Sequence, residues 1–245
     1  MKTRYLILAG LSCLLIACGK QSEQVTTDQA APVRQTEKKE HGAADNQSAT
    51  VPSSEQSSSF ETPAHFNGSY YSVEGKYGPV LIVNKKHPLS SSYAPGEDPQ
   101  AQAAFYRLKA DMQAKGFAIS DQYSGYRSYE HQAGLYQSYV TQEGQAAADR
   151  YSARPGYSEH QTGLAYDFID QAGNLLEEPQ ASQWLQENAH QYGFIVRYLP
   201  GKEDITGYMA ESWHIRYIGP EATAIYQSGL TLEEYFGVPG GGYAE

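Results

Sequence analysis

Apolar and polar residues follow two different periods along the chain, one helical and one extended. Between Asp98 and Gly116, four apolar residues have the spacing of one helix face: Ala104, Phe105, Leu108 and Met112. This spacing predicts a helix over residues 99–115, because residues three and four positions apart share a face. Asp98 before Pro99 favours the start of this helix, and Gly116 is typical of a residue that ends one.

Further helices are predicted in the rest of the chain. Ser128 is the predicted cap of a second helix that ends before Gly144, with three residues turned inward: Leu135, Tyr136 and Tyr139. Two more segments have helical spacing: residues 180–193 and 220–228. Thr231 and Glu234 have the spacing of a capping box, which predicts a last short helix after Thr231.

Short runs of β-branched and aromatic residues predict strands. They lie at residues 80–83, 117–119 with a continuation at 122–125, 163–168, 194–198 and 213–218. Residues 200–204 are predicted to form a polar loop. Helices come first and most of the strands later, an order typical of folds in which antiparallel strands are joined by loops. We therefore predict an α+β fold with a small antiparallel sheet flanked by helices.

The first residues of the chain differ in pattern from the rest. Lys2 and Arg4 precede an apolar run, so residues 1–17 are predicted to be a signal peptide. The run is too short for a transmembrane helix. Small residues before Cys18 resemble the lipobox of bacterial lipoproteins, in which this cysteine carries the lipid. An ordinary secretory signal with a chance cysteine is the alternative.

Residues 18–60 are rich in Gln, Ser, Thr, Glu, Lys and Ala and contain few large apolar residues. Such a segment cannot bury enough surface to offset its chain entropy. We therefore predict a disordered linker between lipidated Cys18 and a single domain at residues 61–245. The lipid would attach the protein, as a monomer, to the extracytoplasmic face of a bacterial cell membrane.

Charge and cysteine content exclude several classes of protein. Removing Lys2 and Arg4 from the 18 basic residues leaves 16 against 28 acidic residues, a formal charge of −12, which argues against nucleic acid as a partner. The 2 cysteines, Cys13 and Cys18, both precede the predicted domain. The domain therefore has no disulfide, and any metal site in it must use histidine and carboxylate ligands.

Two segments concentrate the residues that can do chemistry. The first, S-E-H-Q-T-G-L-A-Y-D-F-I-D, contains His160 and Asp167, and the second, E-S-W-H-I-R-Y, contains Glu211 and His214. Two imidazoles and a carboxylate can form the ligand set of a catalytic zinc ion with one position left for water. Glu211 could act as the base for that water.

Strand alternation indicates how these residues could meet. In the predicted strand 163–168, Asp167 lies on the face opposite the bulky apolar residues, and in strand 213–218 His214 does the same. If the two strands are neighbours, His160, Asp167 and His214 come together. A single histidine is more often a hydrogen-bonded structural residue, so it is the combination that indicates a metal site. The pattern is not H-E-x-x-H, so the zincin signature does not apply.

These motifs, with S-G-Y-R-S upstream, resemble those of the peptidoglycan D-alanyl carboxypeptidases of the vancomycin-resistance type. The superfamily also includes D-Ala-D-Ala dipeptidases, and the resemblance extends over residues 78–217. It implies a zinc peptidase with one Zn²⁺ per chain, bound by His160, Asp167 and His214, and with Glu211 as the base. It also implies that Arg127 stabilises the negative oxygen of the tetrahedral intermediate.

The resemblance further implies a pocket for the terminal carboxylate of a peptidoglycan stem peptide. Ser158 and Gln132 are candidate donors to this carboxylate, and Tyr126 and Trp213 are candidates for the pocket wall. By analogy with lipid-anchored relatives, we expect an L,D-carboxypeptidase that removes the terminal D-Ala from stem tetrapeptides. The alternatives are a D,D-carboxypeptidase acting on pentapeptides and a non-catalytic zinc-containing module that binds the cell wall.

Overall fold

The computed structural model describes residues 63–244, and antiparallel sheets organise this part of the chain. The predicted signal peptide 1–17 and the predicted linker 18–60, with Cys18, lie outside the described residues. The first sheet has the order β1-β2-β3, with strands at His65–Phe66, Tyr71–Gly75 and Gly78–Ile82. The sequence pattern predicts only the last of these strands, because β1 and β2 have no clear alternation.

A four-stranded antiparallel sheet lies at the centre of the fold. Its strands are β4 (Ile119–Ser124), β5 (Ala165–Asp170), β6 (Phe194–Tyr198) and β7 (Glu211–Tyr217). The order is β4-β5-β7-β6, so β5 and β7 are the inner pair. The predicted antiparallel sheet is confirmed, and β6 has the predicted bounds.

Helices flank the two sheets. They lie at α1 (Pro99–Ala114), α2 (Tyr129–Glu143), α3 (Gln145–Ala148), α4 (Pro179–Asn188), α5 (Glu203–Thr206), α6 (Ala222–Ser228) and α7 (Leu232–Phe236). Short 3-10 helices lie at Glu159–Thr162, Ala189–Tyr192 and Gly219–Glu221. Within residues 63–244, no helix has the length and apolar character needed to cross a bilayer.

The predicted starts of three helices are confirmed. The side chains of Asp98, Ser128 and Thr231 each accept a hydrogen bond from a backbone N–H in the first turn of α1, α2 and α7. Thr231 and Glu234 form the complete capping box. Such caps satisfy N–H groups that have no partner inside the helix, and they stabilise it by about 1 kcal/mol.

The main core lies between α1 and the central sheet. Phe105 of α1 stacks on Tyr166 of β5 with the ring centroids 4.7 Å apart, and Phe168 packs on Phe105 at 5.0 Å. Pairs of this kind contribute roughly 0.5–1.5 kcal/mol each beyond the burial of their area. Because Tyr166 and Phe168 face this core, Asp167 between them faces the opposite side of β5.

Several boundaries differ from the prediction, two of them at β4 and α5. β4 begins at Ile119, later than the predicted start at residue 117, and its register with β5 shifts before Tyr123. The predicted loop 200–204 runs into the single-turn helix α5, where the N–H of Thr206 donates to the carbonyl oxygen of Lys202. Both features depend on turns and strand pairing, which a periodic pattern does not report.

Helix α2 is less deeply packed than predicted. The residues expected to face inward are only half-buried: Leu135, Tyr136 and Tyr139. The buried residue of this helix is Gln132. Leu135 and Tyr139 line a cleft, and the hydroxyl of Tyr136 donates to Asp149 at 2.7 Å. The inner face of α2 therefore borders a cavity and not the core.

Leu108→Ala should lower the free energy of unfolding by about 2–5 kcal/mol, because this fully buried side chain of α1 would leave a cavity in the main core. Arg107→Ala, on the exposed side of the same helix, is the matched control and should change the free energy by less than about 0.5 kcal/mol. Equilibrium unfolding in urea measures both values. Equal losses in the two variants would contradict the assignment of this helix face.

Candidate metal centre

The inner strands of the central sheet bring Asp167 and His214 together. The two residues are directly paired in the antiparallel ladder between β5 and β7, so the predicted proximity of these strands is confirmed. Side chains opposed in this way have Cβ atoms about 4.5–5.5 Å apart. Both side chains are buried and line the same cleft.

His160 reaches the same point from the 3-10 helix that precedes β5. Gly163 ends this helix in the left-handed conformation, with φ 72°, and a Cβ there would collide with the carbonyl oxygen of Gly96. Only glycine fits such a position. Nδ1 of His160 donates to the carbonyl oxygen of Gly125 at 2.9 Å. This hydrogen bond leaves Nε2 free to face Asp167.

The ligand atoms of His160, Asp167 and His214 lie within 4.8 Å of one another. Nε2 of His160 is 3.0 Å from Oδ2 of Asp167, and Nδ1 of His214 is 3.0 Å from Oδ1. Two ligands of a tetrahedral zinc ion with bonds of about 2.0–2.1 Å lie roughly 3.4 Å apart. This value lies between the two observed separations of 3.0 Å, which involve different oxygens of Asp167, and the 4.8 Å limit of the whole cluster.

The hydrogen bonding of Asp167 also fits a cation. Its Oδ1 is buried and accepts no hydrogen bond from the part of the chain that the structure describes. Nδ1 of His214 lies 3.0 Å from this oxygen, but the two atoms do not form a hydrogen bond. A buried oxygen without a donor costs about 1–3 kcal/mol, which a bound cation would offset. Two imidazole nitrogens and a carboxylate are a donor set that suits zinc.

Glu211 approaches the metal centre from the first residue of β7, two residues before the predicted start of that strand. Its Oε2 is 3.6 Å from Nδ1 of His214. Residues three apart point to opposite faces of a regular strand, but the ladder between β6 and β7 is irregular between Val196 and Tyr198. Such an irregularity redirects side chains, and here it lets Glu211 and His214 share one cleft.

Burial and neighbouring charges shift the pKa values in the cleft. Burial raises the pKa of Glu211 to about 8, with His214 opposing the rise and Asp167 adding to it. Burial lowers the pKa of His214, but the carboxylates of Asp167 and Glu159 outweigh this effect and raise it to about 10. Burial would raise the pKa of Asp167, yet His160 and His214 hold it well below its usual range. Without a metal, Glu211 and His214 therefore hold protons near neutral pH.

Arg127 lies beside the metal centre, and neutral groups hold its side chain. Its guanidinium donates to Oε1 of Gln132 and to Oγ of Ser124, each at 2.9 Å. Gln132 in turn donates to the carbonyl oxygen of Ala153 at 2.6 Å. Both ends of the Gln132 amide are thus used within the protein. The position of Gln132 therefore supports a role in orienting Arg127. It gives less direct support to the predicted contact between Gln132 and a substrate carboxylate.

The cleft that contains these groups has a volume of about 540 Å³. Ser158 and Trp213 line it, in agreement with their predicted location. The rest of its wall is largely aromatic and apolar: Leu135, Tyr139, Tyr151, Leu175, Tyr198, Tyr208 and Met209. Tyr126, the other predicted wall residue, is not among the lining residues in the described part of the chain. Its neighbour Arg127 does line the cleft.

Glu159 is a buried residue of the site that is absent from the predicted set. Its Oε2 lies 3.1 Å from Nε2 of His214. The available signal was its position next to His160 in the motif, because metal-binding histidines are commonly hydrogen-bonded to a carboxylate. The tyrosines of the cleft wall had no signal beyond the total of 21 tyrosines in the chain.

A buried histidine–aspartate–histidine cluster, with a glutamate and an arginine in the same cleft, is a residue set that suits a metal-dependent hydrolase. Comparison with known proteins identifies the family. Residues 96–220 match the family VanY, described as D-alanyl-D-alanine carboxypeptidase. The chain belongs to this family and is a carboxypeptidase, a hydrolase of peptide bonds.

Individual relatives agree with this assignment. YodJ of Bacillus subtilis (strain 168), a protein named as a carboxypeptidase, is 33% identical in an alignment of 260 residues that covers 94% of this chain and 91% of YodJ. The L,D-carboxypeptidase DacB from Streptococcus pneumoniae is 59% identical with a TM-score of 0.73, over 74% of this chain and 99% of its own. A variant of VanY, the vancomycin-resistance D,D-pentapeptidase, was solved with Zn(II); it is 36% identical with a TM-score of 0.55, over 63% of this chain and 96% of its own.

The apparent affinity for Zn²⁺ should rise roughly tenfold per pH unit from about pH 6 to about pH 8, because the raised pKa of His214 means that zinc must displace a proton from it. Competition with a chromophoric chelator measures the affinity. His160→Ala should abolish tight binding, whereas His131→Ala, an exposed histidine of α2, should not. An affinity that does not change with pH would contradict the protonation assigned to His214.

Proposed function

We propose that the protein is a zinc-dependent L,D-carboxypeptidase that removes the terminal D-Ala from peptidoglycan stem tetrapeptides. The observation that carries the bond preference is the degree of similarity to two relatives with different preferences. Identity to the L,D-carboxypeptidase DacB is 59% with a TM-score of 0.73, against 36% and 0.55 for the D,D-pentapeptidase VanY. The buried ligand cluster supports the dependence on zinc.

In this proposal His160, Asp167 and His214 hold one zinc ion per chain. When bound, zinc would act as a Lewis acid that lowers the pKa of the attacking water toward neutrality and polarises the scissile carbonyl group. Glu211 accepts the proton of the attacking water at its carboxylate, which lies 3.6 Å from Nδ1 of His214. Glu211 then passes this proton to the nitrogen of the leaving D-Ala as the peptide bond breaks.

The remaining residues of the cleft act on the substrate. Arg127 stabilises the negative charge that develops on the substrate oxygen, and Ser124 and Gln132 hold its guanidinium in place. Ser158 donates to the terminal carboxylate of the D-Ala. Trp213 forms part of the wall beside the peptide. Positioned groups of this kind act without the reorganisation that water would need.

We further propose that the enzyme works outside the cytoplasm, attached to the membrane by a lipid on Cys18. The N-terminal sequence supports this location: Lys2, Arg4 and the apolar run before Cys18 have the pattern of a lipoprotein signal. Residues 18–60 would serve as a flexible tether for the domain 61–245, which acts as a monomer on the peptidoglycan beside the membrane.

A D,D-carboxypeptidase acting on stem pentapeptides is the second candidate. The description of the family and the similarity to the D,D-pentapeptidase VanY favour it. A module that only binds the cell wall is less well supported, because such a protein needs no base. Glu211 is buried and lies in the same cleft as the candidate ligands, 3.6 Å from Nδ1 of His214, where a base for water is required.

The zinc-loaded protein should release D-Ala from a purified stem tetrapeptide and leave the pentapeptide intact. Mass spectrometry of the digests distinguishes the two substrates. Glu211→Gln keeps the size of the side chain but removes its basicity, so cleavage should fall about 10²–10⁴-fold. Cleavage of the pentapeptide alone would replace this proposal by the D,D-carboxypeptidase. Cleavage of neither peptide, with zinc bound, would favour the non-catalytic module.

Arg127→Met should lower kcat about 10²–10³-fold, because the variant loses the cation next to the developing negative charge. Steady-state kinetics on the cleaved stem peptide measure this loss. Arg150→Met makes the same chemical change at an exposed arginine paired with Glu203, and it should alter kcat by less than about twofold. A normal kcat for Arg127→Met would show that Arg127 only supports the fold.

A further inference from the structure

We propose that Glu159 is a positioning residue of the metal centre, which fixes the nitrogen of His214 that faces the metal. Two buried arginines hold Glu159 in place for this task. The inference rests on the proposed function in one respect, namely that the bound ion is zinc. It concerns the binding of the ion and not the bond that is cleaved.

The contacts of Glu159 determine the protonation of His214. Oε2 of Glu159 lies 3.1 Å from Nε2 of His214. An ionised carboxylate only accepts hydrogen bonds, so Nε2 must be the donor. A neutral imidazole has a single N–H, and Nδ1 is then left with its lone pair. This nitrogen is the one that faces Asp167, at 3.0 Å from Oδ1.

Two strands of the central sheet hold the Glu159 carboxylate. Its Oε1 accepts from Nε of Arg197 on β6 at 2.8 Å and from Nη1 of Arg216 on β7 at 2.9 Å. Arg216 follows His214 by two residues, so both side chains leave β7 on the same face. Arg216 also donates to the carbonyl oxygen of Leu81 at 2.7 Å, on β3 of the first sheet. The two arginines therefore hold the Glu159 carboxylate in place independently of the 3-10 helix that carries Glu159.

Glu233 of α7 completes a buried group with no net charge. Arg197 donates to both carboxylate oxygens of Glu233, at 2.8 and 2.6 Å. The charges of two carboxylates and two guanidinium groups then cancel, and these four side chains are at most 2% exposed. Buried charges are tolerated when they are paired and hydrogen-bonded. Glu233 shares the ionic network with Glu159 but contacts no metal ligand.

The contact to His214 goes beyond what a structural ionic network requires. Arg197 and Arg216 already have carboxylate partners, whether or not Glu159 contacts His214. His214 lies at the edge of this ionic network. The other candidate ligand, His160, has an equivalent acceptor behind it in the carbonyl oxygen of Gly125. Each histidine is thus oriented by an acceptor on the side opposite Asp167. Acceptors in this position fix the ring orientation and the tautomer of a metal ligand.

Glu159→Gln should weaken zinc binding about 10–100-fold, as measured by chelator competition at saturating pH. Glu233→Gln is the matched control, since it disturbs Arg197, one of the two arginines that hold Glu159, and should lower stability while leaving zinc affinity nearly unchanged. Equal losses of affinity in the two variants, or an unchanged affinity in Glu159→Gln, would overturn the inference. A wild-type protein that binds no zinc would contradict the proposed function instead.

NMR of the zinc-loaded wild-type protein, labelled with ¹⁵N at histidine, provides a test that does not depend on the folding of a variant. For His214 we expect a proton on Nε2 and the metal on Nδ1. Coordination through Nε2, or a proton on Nδ1, would overturn the assignment of Glu159 even if both variants failed to fold. The His160 ring, which the same spectrum reports, serves as an internal reference.

Discussion

The antiparallel pairing of Asp167 with His214 is the constraint on which the rest of the site depends. Backbone hydrogen bonds between β5 and β7 set the distance between these residues, so the sheet and not the flexibility of long side chains determines the geometry. A slip of one residue would turn Asp167 to the core and Tyr166 to the cleft. The packing of Phe105 on Tyr166 opposes such a slip. The contacts that form the core therefore also fix the register of the ligands.

This arrangement buries several charged groups, and neighbouring groups of opposite charge compensate most of them. Asp167 lies between two histidines, and Glu159 lies between Arg197 and Arg216. These carboxylates consequently remain ionised. Glu211 is different because its nearest cationic neighbours do not offset its burial, and its pKa rises to about 8. A buried carboxylate that gains and loses a proton near neutrality is suited to general base catalysis. The ionised carboxylates of Asp167 and Glu159 are suited instead to holding a metal ion and orienting its ligands.

Local signals account for what could be predicted from the sequence. The caps at Asp98 and Ser128 and the apolar face of α1 depend on residues close in sequence, and they were predictable for that reason. The ligand cluster was also predictable, since each motif contains its own alternation. The common orientation of Glu211 and His214 was not, because it needs an irregular ladder with β6. The network of Glu159 likewise depends on contacts between distant segments.

The groups around the scissile bond cannot by themselves decide which peptide is cut. L,D- and D,D-carboxypeptidases both release D-Ala, and their substrates differ in the residue on the other side of that bond. Discrimination must therefore come from the cleft wall, where Tyr139 packs edge-on to Tyr151 at 5.2 Å. A wall selects by shape and by leaving a misplaced polar group without a partner. Within one family, the catalytic residues that the sheet holds can then stay the same, while changes in α2 and in the loops around it alter the bond preference.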